Sequence, residues 1–413
     1  MAGSEAGGTP EAWLSLIGLG EDGLEGLSPA ARGLLGAARL VVGGRRHLAL
    51  AEPLIHGETL AWASPLTATI PRLLERRGEP VAVLASGDPF LFGVGATLRR
   101  HLPAAEMRCL PQPSSIALAA ARLGWAQQEC ALIALGGRPL ASLRPLLQPG
   151  RRVLALSAGA ETPGQVAQAL VEWGFGPSRM ALLEALGGPH ERVRHTTARD
   201  FALDGIQALN LVAVEVAAEP GARILPCAPG LPEAWFEHDG QITKREVRAL
   251  TLASLRPRAD ERLWDIGCGC GSVAVEWLLA EPSTQALAVE RRGERAAAAA
   301  RNAAALGVPR LEVRTGEARE ALAEAPAPDA VFLGGGVHDP ALIEACYAAL
   351  PAGGRLVANS VTLESEQAIQ AAWQRYGGTL TRLSVERAEP LGRLHAYRPA
   401  MPILQWAVEK DGL

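Results

Sequence analysis

Short apolar runs that stop at a glycine turn and give way to a helical pattern recur along most of the chain, and this limits the possible folds more than any other feature. Trp13–Gly18 closes in Gly18-Leu19-Gly20, and Val81–Ala85 closes in Ser86-Gly87-Asp88-Pro89. Pro29–Leu40 has small and apolar residues at helical spacing and leads into Leu40-Val41-Val42-Gly43-Gly44. After Pro111 and Pro113 the alternation resumes. Ile116–Leu123 and Pro163–Trp173 read as helices, and Ala131–Leu135, Arg152–Leu156, Met180–Leu183 and Leu211–Val216 as strands. Strands alternating with helices imply sheets covered by helices, so the chain is expected to be α/β.

Proline and glycine divide this pattern. Pro220, Pro226, Pro229 and Pro232, with Gly221 and Gly230, crowd the stretch between Ala217 and Pro232. Proline fixes φ and removes a donor, so residues 218–232 are expected to link a domain at 1–217 to one at 233–413. A second break at Leu110–Pro113 splits the first domain into subdomains of about 1–110 and 113–217. Beyond the linker, Lys244–Leu255 is an amphipathic helix, followed by strands at Arg262–Ile266, Ala286–Val289, Leu311–Arg314, Ala330–Leu333 and Arg355–Ala358. Helices at Ser272–Leu279, Glu294–Leu306 and Ala341–Leu350 lie between them, so the second half is expected to be a doubly wound, Rossmann-like domain. The halves show no internal repeat.

Composition excludes several classes. The chain has 413 residues, 48% hydrophobic and 20% charged, too apolar for a disordered protein. A formal charge of −4 gives no long-range attraction to nucleic acid or anionic membranes. Of 40 basic residues only Lys244 and Lys410 are lysines; the abundant arginines could help bind a polycarboxylate. Met1 to Pro10 has no basic cluster followed by an apolar stretch, and no apolar run reaches the ~18–20 residues of a membrane span. Six mostly isolated cysteines make no disulfide framework. A reduced, cytoplasmic protein is expected.

In the second half, Asp265-Ile266-Gly267-Cys268-Gly269-Cys270-Gly271 follows a strand and opens a helix, where glycines let a ligand approach backbone N–H groups. The spacing is G-x-G-x-G, and Ser272 stands where a dinucleotide fingerprint has its third glycine. The next strand ends in Glu290, placed to accept from ribose hydroxyls. The turn Thr315-Gly316-Glu317-Ala318 ends the following strand, and Asp329 begins a fourth that runs into Gly334-Gly335-Gly336. Four turns in this order resemble the class I S-adenosylmethionine-dependent methyltransferases; NAD binding is the competing reading. The Cys268/Cys270 pair lacks two further zinc ligands nearby, so small residues filling the loop is preferred, with a mildly reactive thiol as the alternative.

The turns of the first half, together with Pro111-Gln112-Pro113-Ser114-Ser115 and Glu184-Ala185-Leu186-Gly187-Gly188-Pro189-His190-Glu191-Arg192, resemble the tetrapyrrole methylase family. That resemblance implies two α/β subdomains with S-adenosylmethionine folded between them. Its binding loops would carry Glu21, Ser86, Gly87, Asp88, Ser114, Ser115 and Leu186, with Asp88 beside the transferring methyl. Many members have Pro-Gly where this chain has Glu21-Asp22.

Between the halves, Phe236-Glu237-His238-Asp239-Gly240-Gln241-Ile242-Thr243-Lys244-Arg245-Glu246-Val247-Arg248 resembles the start of the decarboxylating precorrin methyltransferase domain. From Trp13 to about Pro402 the chain resembles the fused precorrin-6B C-5,C-15-methyltransferases (decarboxylating) of cobalamin biosynthesis. The resemblance implies two S-adenosylmethionine sites, the second formed by Thr243, Gly267, Cys268, Gly269, Cys270, Gly271, Glu290 and Ala318. It implies C-5 methylation in the first half, and C-15 methylation with loss of the C-12 acetate carboxylate in the second, giving precorrin-8. Asp88 is a candidate to orient or deprotonate substrate. His238 is a candidate proton shuttle, Lys244 a carboxylate holder, and Glu246 lies near them. Arg45, Arg46 and His47 are candidates for the substrate's peripheral carboxylates. A corrinoid scaffold or sensor that binds S-adenosylmethionine without turnover is the alternative. No metal is expected, and a homo-oligomer is.

Overall fold

The computed structural model describes residues 12–411, so the stretch Met1–Pro10, read above for its lack of a leader signal, lies outside the described residues. Chain contacts divide it into two units. One comprises the residues up to Leu140 with Gln148–Arg223, the other Ala141–Leu147 with Ile224 onward.

The first unit contains two five-stranded sheets. In the first sheet, β1 (Leu14–Leu19), β2 (Leu40–Gly43), β3 (Glu58–Ala61), β4 (Val81–Ser86) and β5 (Met107–Leu110) lie in the order β3-β2-β4-β1-β5. All are parallel, and β1 is fully buried because helices cover both faces of the sheet. The second sheet, β6 (Cys130–Ala134), β7 (Arg152–Leu156), β8 (Arg179–Glu184), β9 (Arg192–Thr197) and β10 (Asn210–Glu215), has the order β6-β7-β10-β8-β9. Only β6 and β7 pair in parallel; the rest is antiparallel, which alternation alone did not indicate. The edge strand β9 escaped the sequence reading because Arg-Val-Arg-His-Thr-Thr has almost no apolar pattern. Its Arg192 and Arg194 clamp the buried Glu184 of β8 at 2.7 and 3.0 Å.

The second unit is built on seven strands: β11 (Arg262–Ile266), β12 (Gln285–Glu290), β13 (Glu312–Thr315), β14 (Ala330–Leu333), β15 (Arg355–Ser360), β16 (Thr379–Leu383) and, last in the chain, Ile403–Glu409. The first five are parallel in the order β13-β12-β11-β14-β15, and Ile403–Glu409 runs antiparallel between β15 and β16. A separate hairpin, β17 (Glu386–Leu391) with β18 (Leu394–Pro399), precedes that last strand, β19. The sequence reading stopped at Ala358. The hairpin is almost wholly exposed and carries no buried face to reveal it. Buried clusters cover both faces of the large sheet, with Trp277 on one and Trp406 on the other.

The proline-rich segment is not a bare spacer. Leu225 and Leu231 within it are buried in the second unit's core, and the N–H groups of Gly230 and Leu231 donate to Glu276, both at 2.8 Å.

Candidate active sites

In the first unit, the loops after β1, β4 and β5 meet. A Cβ on Gly18 would fall 1.9 Å from the Gly87 carbonyl oxygen, and one on Gly87, at φ +51°, would fall 2.8 Å from Ser114 Cα. Only glycine permits that approach. The loops border a cavity of about 420 Å³, whose lining includes Glu21, Ser86, Gly87, Ser114, Ser115 and Leu186. Ser114 also caps the helix Ser115–Leu123, accepting from Ala117 N–H at 3.1 Å.

Asp88 does not line this cavity. Its Oδ1 accepts from Phe90 N–H at 2.8 Å, so the carboxylate closes its own turn. Arg46 and His47 do line it, whereas Arg45 does not. Glu21 and Arg46 form an ion pair; Arg46 Nη2 lies 3.0 Å from His47 Nε2, which is 3.0 Å from Ser86 Oγ. A guanidinium can only donate, so His47 Nε2 accepts and the ring is neutral. Burial, then the Arg46 charge, push the His47 pKa down to about 4. Asn210, at the start of β10, was missed. Its amide N–H groups donate to the Gly159 and Gln207 carbonyls, leaving Oδ1 without a partner on the cavity wall.

The second cavity, about 470 Å³, lies at the carboxyl ends of the parallel strands. Thr243, Lys244, Gly267, Cys268, Gly269 and Cys270 line it. Gly267, at φ +68°, packs so tightly on the loop after β14 that a Cβ would fall 2.5 Å from Gly335 Cα. Gly271 instead begins the helix Ser272–Ala280 at φ +76°. Glu290, Ala318 and His238 also lie outside the lining. Glu290 accepts from the N–H groups of Gly269 at 3.0 Å and Arg292 at 2.9 Å, so it braces the glycine loop. His238 Nδ1 accepts from Gly240 N–H at 3.0 Å, which ties the ring into its turn rather than aiming it at the cavity.

Beneath the loop, Asp265 is fully buried. Its Oδ2 accepts from Ala274 N–H at 3.0 Å and its Oδ1 has no partner; burial, and the neighbouring Glu290 charge, push the carboxyl up to about 7. Burial likewise pushes the Cys268 and Cys270 thiols above their ordinary range, which works against the thiolate that a reactive cysteine needs. No metal-binding cluster occurs among the described residues.

The junction motif is held from below. Arg248, fully buried, donates to Glu276 at 2.6 Å and to the carbonyls of Thr243 and Leu231, and lies 4.9 Å from the Phe236 ring centroid. Asn302 adds a second tie, accepting from Glu237 N–H at 2.7 Å and donating to the Cys270 carbonyl at 2.9 Å. Among the cations lining the cavity, Arg295 pairs with Asp239 at 2.7 Å and Arg387 with Glu246; Lys244 has no ion pair among the described residues.

A sequence model described as tetrapyrrole (corrin/porphyrin) methylases matches residues 14–202, and one described as precorrin methyltransferase domain matches 234–410. A Sinorhizobium protein named precorrin-6Y C(5,15)-methyltransferase (decarboxylating) is 53% identical over 398 residues, 96% of each chain. The chain belongs to this family. Two shorter relatives each cover part of it. A Pyrobaculum calidifontis protein, named probable cobalt-precorrin-6B C(15)-methyltransferase (decarboxylating), is 37% identical over 42% of this chain and 93% of its own length. A Salmonella typhimurium cobalt-precorrin-7 C(5)-methyltransferase is 29% identical over 44% of this chain and 88% of its own. Membership of a methyltransferase family implies use of S-adenosylmethionine. The second cavity suits that cofactor: its glycine loop admits a ligand, and the unpartnered Asp265 oxygen lies beneath it, where the carboxyl in its ionised form would face a cationic sulfonium. No helix among the described residues is long and apolar enough to cross a membrane.

Proposed function

We propose that the chain methylates a reduced tetrapyrrole at C-5 and C-15 and removes the carboxyl of its C-12 acetate. The substrate is read from the sequence as precorrin-6B and carries the name precorrin-6Y in the relatives. The observation that carries this reading is the 53% identity running through both halves at once.

S-adenosylmethionine, bound once in each cavity, supplies an electrophilic methyl group. In the first unit Gly87, Ser114 and Ser115 border the donor, and Arg46 faces the substrate's carboxylates. In the second, the loop Gly267–Cys270 borders the donor and Lys244 holds a peripheral carboxylate. Methyl transfer is an in-line displacement that depends chiefly on alignment and exclusion of water; the cavities at the strand ends supply the alignment. That the two activities occur in separate relatives, each covering less than half of this chain, supports dividing them between the halves, with C-5 assigned to the first and C-15 with decarboxylation to the second. The division falls near residues 218–232, with 1–217 and 233–413 as the two domains apart from Ala141–Leu147, which group with the second unit, in a soluble cytoplasmic protein that forms a homo-oligomer and binds no nucleic acid.

Anaerobic incubation of the full chain with precorrin-6Y and S-adenosylmethionine, followed by mass analysis, tests the reading. Two added methyl groups and one lost carbon dioxide are expected; an unchanged tetrapyrrole refutes it.

A further inference from the structure

Asn359 is next to last in β15 and lines the second cavity. Behind it lie Thr251, fully buried, and Gln405, 5% exposed, with the half-buried Ser254 beside them. Such groups are costly to bury unless every hydrogen bond is made, and here they are made in a chain with one direction. Thr251 Oγ1 donates to the Val247 carbonyl at 2.8 Å, so it can only accept from its other neighbours, Asn359 Nδ2 at 2.9 Å and Gln405 Nε2 at 3.2 Å. Gln405 Nε2 also donates to Asn359 Oδ1 at 3.0 Å, while Gln405 Oε1 accepts from Ser254 at 3.0 Å. The Asn359 amide is therefore locked in one orientation. One N–H and one oxygen lone pair remain unused on a side chain that borders the cavity.

Its place in the sheet separates it from the cofactor loop. The strand order β13-β12-β11-β14-β15 puts Glu290 on one side of the glycine loop and Asn359 on the other. Two strand spacings, roughly 10 Å, lie between β11 and β15. The loop side suits the methyl donor, and the Asn359 side faces whatever receives the methyl.

Resting on the function proposed above, we propose that Asn359 binds the acetate carboxylate that is lost, and that Thr251, Gln405 and Ser254 are positioning residues for it. In the reaction the bond between the carboxyl carbon and the methylene breaks, and its electron pair enters the conjugated macrocycle. Carbon dioxide departs, and a proton from solvent completes the methyl group. A full positive charge on that carboxylate would stabilise the starting state more than a transition state whose charge is spreading into the ring. A fixed neutral amide orients the carboxylate with less of that penalty, leaving Lys244 for a carboxylate that is retained.

The test uses the full chain with precorrin-6Y and S-adenosylmethionine, reading carbon dioxide release, and a separate titration with S-adenosylmethionine. Asn359→Leu should slow release roughly tenfold to a hundredfold, the range for a hydrogen bond to a charged group. Asn359→Asp should slow it further, because it sets a carboxylate against a carboxylate. Donor affinity should stay within about twofold in both. Thr251→Val should raise the tetrapyrrole KM about threefold to tenfold with donor affinity unchanged. Release within twofold of the parent in both Asn359 variants, a greater loss in Asn359→Leu than in Asn359→Asp, or donor affinity falling in step would overturn the assignment. If the unaltered protein releases no carbon dioxide, the proposed reaction itself fails and takes this assignment with it, a result distinguishable because the parent is silent.

Discussion

In the first cavity the charges are on the wall and paired with one another: Glu21 with Arg46, and Arg46 beside a neutral His47. In the second, an acid without a cationic partner lies under the glycine loop, and a lysine without an ion pair lines the space above it. Both cavities sit where parallel strands end and glycines let loops touch, so backbone geometry is the common element. The electrostatics differ. The first cavity keeps its charged side chains in a partly exposed cluster, whereas the second unit commits charge to the core, in Asp265 and in the Arg248–Glu276 pair. Disturbing the second should therefore cost more stability than disturbing the first.

The largest effect should come from Arg248→Met. Removing one partner of a buried pair leaves the other charge unmatched, at a cost of about 3–5 kcal/mol. Glu276 would also keep only its contacts with Gly230 and Leu231. Calorimetry should show a second-unit transition moved down by many degrees and a first-unit transition in place. Movement of both together would contradict the separation into units.

Glycine substitutions sharpen the contrast at the loops. A Cβ at Gly267 collides with backbone and adopts a positive φ, so Gly267→Ala should weaken donor binding in the second cavity by about 2–3 kcal/mol. Gly87→Ala should do the same in the first. Product masses separate them: Gly267→Ala should yield a singly methylated tetrapyrrole that keeps its carboxyl. Gly87→Ala should yield one that has lost carbon dioxide and also gained a single methyl. Identical products from the two variants would merge the sites.

What the sequence made legible follows from which residues repeat a local pattern. Most of the parallel strands in the two units are short apolar runs that stop at a turn; three of the first unit's five and all five of the second's are readable within a residue or two. The unread β3 and β5 lack such runs. β9, β17 and β18 are polar edges or exposed hairpin, held by pairing partners distant in sequence. Among site residues, the backbone-defined ones were found because glycine marks the turn. Asp88 and His238 lie off the cavity linings, and a side chain that closes its own turn looks, in sequence, like one presented to a ligand. Asn210 and Asn359 carry no local signal, since each is a polar residue near a strand end with significance set by carbonyls and amides from elsewhere in the fold.

Asp265→Asn should act in opposite directions on stability and binding. The carboxyl's pKa rises from 3.8 to about 7 on folding, so the native state holds the proton more tightly than the unfolded chain. Stability is thus greatest below 3.8, falls as pH rises toward 7, and bears the full cost above that. The asparagine can still accept from Ala274 N–H and never ionises. Its melting temperature should exceed the parent's at pH 8, by the equivalent of about 1–4 kcal/mol, and converge with it near pH 4. Affinity for the cationic donor should fall roughly tenfold, since the charge beneath the loop is gone. A variant with lower stability at pH 8 would refute the buried-charge account.

The smallest effect belongs to Glu21→Gln. The ion pair it breaks is partly exposed, with side chains 22% and 39% accessible, so stability at pH 7 should change by no more than about 1 kcal/mol. Its signature is in the pH profile instead. His47 is held neutral with its pKa lowered from 6.5 to about 4, so the unfolded chain takes up a proton first as pH falls. The stability gained from keeping it neutral is present above 6.5 and is lost between 6.5 and 4. Without Glu21 the Arg46 charge acts on His47 uncompensated, so the first-unit transition should fall more steeply with acid in Glu21→Gln than in the parent. His47→Gln, which cannot titrate, should flatten that slope in both backgrounds. Equal slopes in parent and Glu21→Gln would mean that the carboxylate does not moderate Arg46, and that the cluster on the first cavity's wall is three neighbours rather than one electrostatic unit.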